Sequence, residues 1–149
     1  MNRFSFFALV VVLTFSEHVF ADPPTSQEVK TYWRKMVSHQ RDFLDIGKEL
    51  AALDRIIASE QVALAELYAH KLTHIQDLLL IASIVQNEAD KQRIKPVIGM
   101  SIKFMAEGVN LSIERVNERI AETKNPGSVA QSMKLRDDLR GLKELLLKF

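Results

Sequence analysis

The sequence predicts an all-α protein: an antiparallel four-helix bundle that follows a cleaved signal peptide. Three observations carry this expectation. Beyond residue 25, apolar residues recur at three- and four-residue intervals in four stretches. No segment shows the alternating β-branched pattern of a half-buried strand. The stretches are joined by short polar connections, and helices with one apolar stripe each can bury those stripes only against one another.

The chain opens with Met1-Asn2-Arg3, a short positive end, and continues through an apolar run from Phe4 to Phe15 broken only by Ser5 and Thr14. Val19-Phe20-Ala21 then offers the small-residue pattern that a signal peptidase reads, so cleavage is expected after Ala21. The run is shorter than the about 20 apolar residues of a membrane span, and no cysteine follows to take a lipid. Residues 1–21 are thus read as a signal peptide and residues 22–149 as one exported helical domain, periplasmic or secreted.

Asp22-Pro23-Pro24 makes an extended spacer, because proline lacks the amide donor a helix uses and biases its predecessor away from helical angles. Thr25-Ser26-Gln27-Glu28 has the form of a capping box and predicts a helix start. Val29, Trp33, Met36, Val37, Phe43 and Leu44 give that helix an apolar side, with Trp33 expected in the core.

From Lys48 to about Asn87 the chain is rich in good helix formers and free of Gly and Pro. Where this second helix begins has two readings. Local chemistry favours a division or kink at Asp45-Ile46-Gly47, which would leave a long central helical hairpin; a division at Ser59 would give helices of similar length. Polarity rises at Asn87-Glu88-Ala89-Asp90, where a tight connection is expected. Ile94, Ile98, Ile102, Met105, Val109, Ile113, Val116 and Ile120 follow with coiled-coil spacing, and Pro96 lies in the first turns. Lys124-Asn125-Pro126-Gly127 stops this helix. Ser128-Val129-Ala130-Gln131 has the form of a second capping box, opening a last helix seamed by Leu135, Leu139, Leu142, Leu146 and Phe149.

Composition narrows the function classes. There are no cysteines, so packing alone holds the domain, and covalent haem attachment is excluded. Loss of residues 1–21 removes one Arg and one Glu, leaving the net charge at +1, a balance that argues against nucleic acid as partner. The triplet Asn110-Leu111-Ser112 matches a glycosylation sequon but falls inside a helical pattern. No cofactor is implied by any motif; a non-covalent haem would need His39, His70 or His74 paired with a Met such as Met36 or Met105, and methionines at helical spacing are more often core filler.

His70 and His74, one turn apart, are the candidate metal ligands, with Glu66 and Asp77 as further oxygen donors. Against this, both fall on the flank of the apolar stripe, where polar residues ordinarily meet water. Glu three residues before a His, the pairing of di-iron bundles, is absent. Gly99 and Gly108 would permit close helix approach or bound a small pocket.

The sharpest oddity is Leu78 to Val85, LLLIASIV, which is apolar around the whole helix. Past the turn come Lys91, Arg93, Lys95 and Lys103 with no acid between Lys91 and Met105, while Phe104 lies off the main seam. Leu80, Ile84 and Phe104 with Lys91, Arg93 and Lys95 therefore form the candidate partner-binding set, suited to an exported or envelope protein, a second copy, or an anionic envelope surface. The plainer reading is that other helices cover Leu80 and Ile84 and the lysines are ordinary solvated charges. The expected role is an interaction module such as an adaptor, accessory factor or immunity-type inhibitor. A small-ligand or metal carrier is the alternative, and an enzyme using Arg55, Lys71 and Glu107 is a third class.

Overall fold

The structure, a computed structural model, describes residues 26–53 and 58–148. The signal-peptide and first capping-box expectations, and the residues Arg55 and Phe149, lie outside or at the edge of these. The described chain is all helical: α1 spans Ser26–Leu53, α2 Ser59–Ile84, α3 Glu88–Glu122 and α4 Pro126–Leu146.

Cross-helix contacts give the arrangement. Gln40 on α1 donates to Thr73 Oγ1 on α2 at 2.7 Å, while further along α1 a Cβ on Gly47 would sit 3.6 Å from Ala65 Cβ, so the two helices run antiparallel. Tyr68 meets Ser112, and Glu60 meets Arg119, setting α2 antiparallel to α3. His39 meets Asp138, and Lys134 meets Glu49, doing the same for α4 against α1. The helices thus form a four-membered ring in chain order, each packed mainly on its sequence neighbours and α4 closing back on α1.

The core is the set of inward stripes. Met36, Phe43 and Leu50 come from α1; Ala65, Leu72, Ile75 and Leu79 from α2; Ile98, Ile102, Met105, Val109 and Val116 from α3; Leu135, Leu139, Leu142 and Leu146 from α4. Burying a side chain of this size contributes about 1.5–3 kcal/mol each before conformational entropy is subtracted. The seams expected on the last two helices are largely the ones observed. On α2 the inward direction is set by Ala65, Leu72 and Leu79, whereas Leu64 is only half-buried at its side.

Three local expectations are corrected. Gly47 does not divide the first helices: α1 runs through it to Leu53, and the division falls before Ser59. Gly47 is buried inside the helix, where α1 approaches Ala65, and makes no chain reversal. The true break was hard to read because Ala58 holds the N-cap position with no side-chain cap bond. The last helix begins at Pro126, not Ser128: Asn125 Oδ1 accepts from the amides of Gly127 and Ser128, and Pro126 occupies the first turn, where its missing donor costs nothing. Ser128 is instead buried, its carbonyl accepting from Ser132 Oγ. Trp33 is 41% exposed rather than core. The polar turn before α3 is as expected, with Asn87 as its cap accepting from the Ala89 amide.

Candidate functional site

Along α3 the exposed apolar residues Val97, Phe104 and Leu111 are spaced by seven, so they form one straight stripe outside the main seam. On α2, Leu67 and Ile81 are exposed and spaced by fourteen, with His74 midway between them. The antiparallel register fixed by Tyr68–Ser112 and Glu60–Arg119 sets these stripes level with each other. Leu67 falls near the height of Leu111, His74 near Phe104, and Ile81 near Val97. The outer side of the α2–α3 hairpin therefore exposes an apolar row on α3, Val97, Phe104 and Leu111, and two single apolar residues on α2, Leu67 and Ile81. Gly108 lies where the two helices approach; a Cβ there would sit 3.4 Å from the Tyr68 hydroxyl and 3.7 Å from Lys71 Nζ.

Beneath this surface the two helices are joined by a buried polar pair. Tyr68 and Ser112 place their hydroxyl oxygens 2.9 Å apart, and Ser112 Oγ also lies 2.9 Å from the Gly108 carbonyl it donates to. Burial pushes the Tyr68 phenol above its ordinary value of 10.0, partly offset by the Ser112 hydrogen bond. Lys71 Nζ stands 5.3 Å from the centroid of the Tyr68 ring, a cation–π contact that ties this lysine to the α2 surface. Of the residues considered for catalysis, Lys71 thus has a packing role and Glu107 is exposed on α3.

The structure divides the residues expected to bind a partner. Leu80 and Ile84 are 55% and 68% exposed, so they are not covered by the neighbouring helices. They lie on the flank of α2 turned toward α1, the side from which Thr73 and Gln76 reach Gln40. Phe104, 66% exposed, lies on α3, on the other side of α2. Ile81 sits between them and joins the two areas. The basic residues past the turn are offset by acids one turn earlier: Lys91 Nζ is 2.6 Å from Glu88 and Arg93 Nη1 is 3.5 Å from Asp90. Lys95 is half-buried on the far flank of α3 from Phe104.

His70 and His74 are both exposed on α2. The metal-type side chains that converge among the described residues are elsewhere: His39, Asp42 and Asp138, whose donor atoms all lie within 4.8 Å of one another. His39 and Asp42 are one turn apart on α1, and Asp138 comes from α4. The spacing His39-Gln40-Arg41-Asp42 is a signal the sequence did contain, but with the acid three residues after the histidine rather than before it. Asp138, 99 residues away, could be joined to it only by the fold.

Among the described residues no helix is long and apolar enough to cross a membrane. Comparison with protein-family models, curated proteins and solved structures finds no match to this chain.

Proposed function

We propose that this chain is an exported helical interaction module that receives an amphipathic helix of another exported or envelope protein on the outer side of the α2–α3 hairpin. The observation that supports it most directly is the exposed apolar row Val97, Phe104 and Leu111 on α3, flanked on α2 by exposed Leu67 and Ile81. The seven-residue period of the α3 row matches the side-chain period of a helix laid along it, so a partner with an apolar heptad stripe would seat that stripe against it. Phe104, level with His74 at the middle of the row, is the natural central anchor, since large aromatic contacts dominate such interfaces. Leu80 and Ile84 add a second exposed apolar area on the α1 flank of the tip, and exposed Arg93 lies in line with Val97 and Phe104 at the hairpin turn. The signal-peptide pattern of residues 1–21 supplies the compartment: a periplasmic or secreted location in which adaptor, accessory or immunity-type roles are served by this kind of docking.

The test is native mass measurement of the protein recovered from its exported compartment, compared with a Phe104→Glu/Leu111→Glu variant. A second polypeptide bound to the parent protein and lost from the variant, with the helical circular dichroism of both unchanged, is the expected result. A complex that survives Phe104→Glu/Leu111→Glu but is lost on Leu80→Glu/Ile84→Glu would move the interface to the α1 flank of the tip. A self-dimer lost in the first variant would keep this surface and replace the partner by a second copy.

A further inference from the structure

We propose a divalent transition-metal site on the opposite side of the bundle, held by His39 and Asp42 of α1 and Asp138 of α4. Nothing in the helix-docking reading requires it. His39 Nδ1 lies 2.7 Å from Asp138 Oδ1, with the two side chains only 19% and 12% exposed. The other carboxylate oxygen, Asp138 Oδ2, is fully buried and has no hydrogen-bond partner. A buried carboxylate oxygen without a donor is costly, and a cation is one species that would satisfy it.

The surroundings distinguish these three side chains from the other acids of the same surface groove. Asp45 is paired with Lys48, Glu49 with Lys134, and Asp137 with Arg136 and Arg140. Asp42 is exposed and lies close enough to Asp138 to raise its pKa. The imidazole itself is seated by Gly141: a Cβ at that position would come within 3.1 Å of His39 Cε1. That contact packs the Cε1 edge of the ring against α4 and leaves Nδ1 facing the carboxylates.

One imidazole nitrogen and two carboxylate oxygens make a three-ligand set whose remaining positions water can fill. The nitrogen favours zinc and similar first-row cations over magnesium or calcium, which prefer all-oxygen shells. Bonds of about 2.0–2.2 Å hold ligand atoms closer together than the present outer separations. The exposed Asp42 side chain can swing inward to close that gap. On binding, the cation takes the place of the proton between His39 Nδ1 and Asp138, and that proton leaves to solvent.

Calorimetric titration of the purified protein with zinc chloride, and with magnesium chloride as control, tests the site. Zinc should bind one to one and raise the melting temperature, magnesium should do neither, and Asp42→Asn should weaken zinc binding by at least about tenfold without lowering the metal-free melting temperature. His70→Ala/His74→Ala should retain full zinc affinity. In nitrogen-detected NMR, the His39 ring resonances should move on adding zinc and those of His70 and His74 should stay. Absence of zinc binding, binding of equal strength in Asp42→Asn, or binding lost only in His70→Ala/His74→Ala would each overturn the proposal.

Discussion

The hydroxyl oxygens of Tyr68 and Ser112 stand 2.9 Å apart inside the bundle, joining α2 to α3. Because Ser112 also has the Gly108 carbonyl as acceptor, Tyr68→Phe removes one hydrogen bond without stranding its partner. The expected cost is about 1 kcal/mol, read as a lower urea midpoint with an unchanged slope. Tyr68→Ala, which also empties the space beside Phe43, should cost about 3–5 kcal/mol.

Gly47→Ala should stabilise the protein. The added methyl would meet Ala65 Cβ at 3.6 Å, an ordinary contact, and the backbone there is regular helix. Alanine loses less backbone freedom on folding than glycine, which is worth about 0.4–1 kcal/mol. A rise in melting temperature checks this, and a fall would mean that α1 and α2 cannot absorb the methyl.

Ser132→Ala should be more harmful than its size suggests. Ser132 Oγ is 2.7 Å from Gln61 Oε1 and equally 2.7 Å from the Ser128 carbonyl, so its single proton serves two acceptors. Gln61 is buried, and without the serine its carbonyl oxygen loses this donor. A loss of about 1–3 kcal/mol is expected by chemical denaturation. Ser132→Ala combined with Gln61→Leu should recover most of it, because both polar groups are then gone.

Asp138 gives the fold a pH signature. Burial is the main cause that raises its carboxyl above the ordinary 3.8, Asp42 adds to this, and the His39 contact opposes it. As pH rises from below 3.8, the unfolded chain gives up this proton first while the folded state still holds it. The folded state then binds more protons, so the contribution of Asp138 to stability falls through that window and levels off above the raised value. Carbon NMR of the Asp138 carboxyl should show a midpoint above 3.8. The stability difference between the parent protein and Asp138→Asn should shrink with rising pH over the same range; a difference that grows instead would show that the His39 contact dominates.

Much of the architecture was legible from local pattern. Ile98, Ile102, Met105 and Val109, and Leu135, Leu139 and Leu142, are buried where their spacing placed them, because an amphipathic helix has one way to hide a continuous stripe. Gly47 misled because a glycine weakens a helix locally, whereas here it lies buried within a continuous α1 against α2, and packing on the partner helix outweighs that local weakness. The same limit hid both surface features. Val97, Phe104 and Leu111 were individually visible as apolar residues outside the seam, but only the register of α2 against α3 shows that they run beside Leu67 and Ile81.

The sequence by itself determined the helical class, the inward stripes of the last two helices and the stop before Pro126, since these follow from periodicity and backbone chemistry within a few residues. Only the tertiary structure decided which apolar faces remain exposed, which buried hydroxyls meet, and that His39 faces Asp138. Each of those depends on the height and rotation of one helix against another. That is fixed by the sum of packing contacts between residues tens of positions apart, and no local segment carries it.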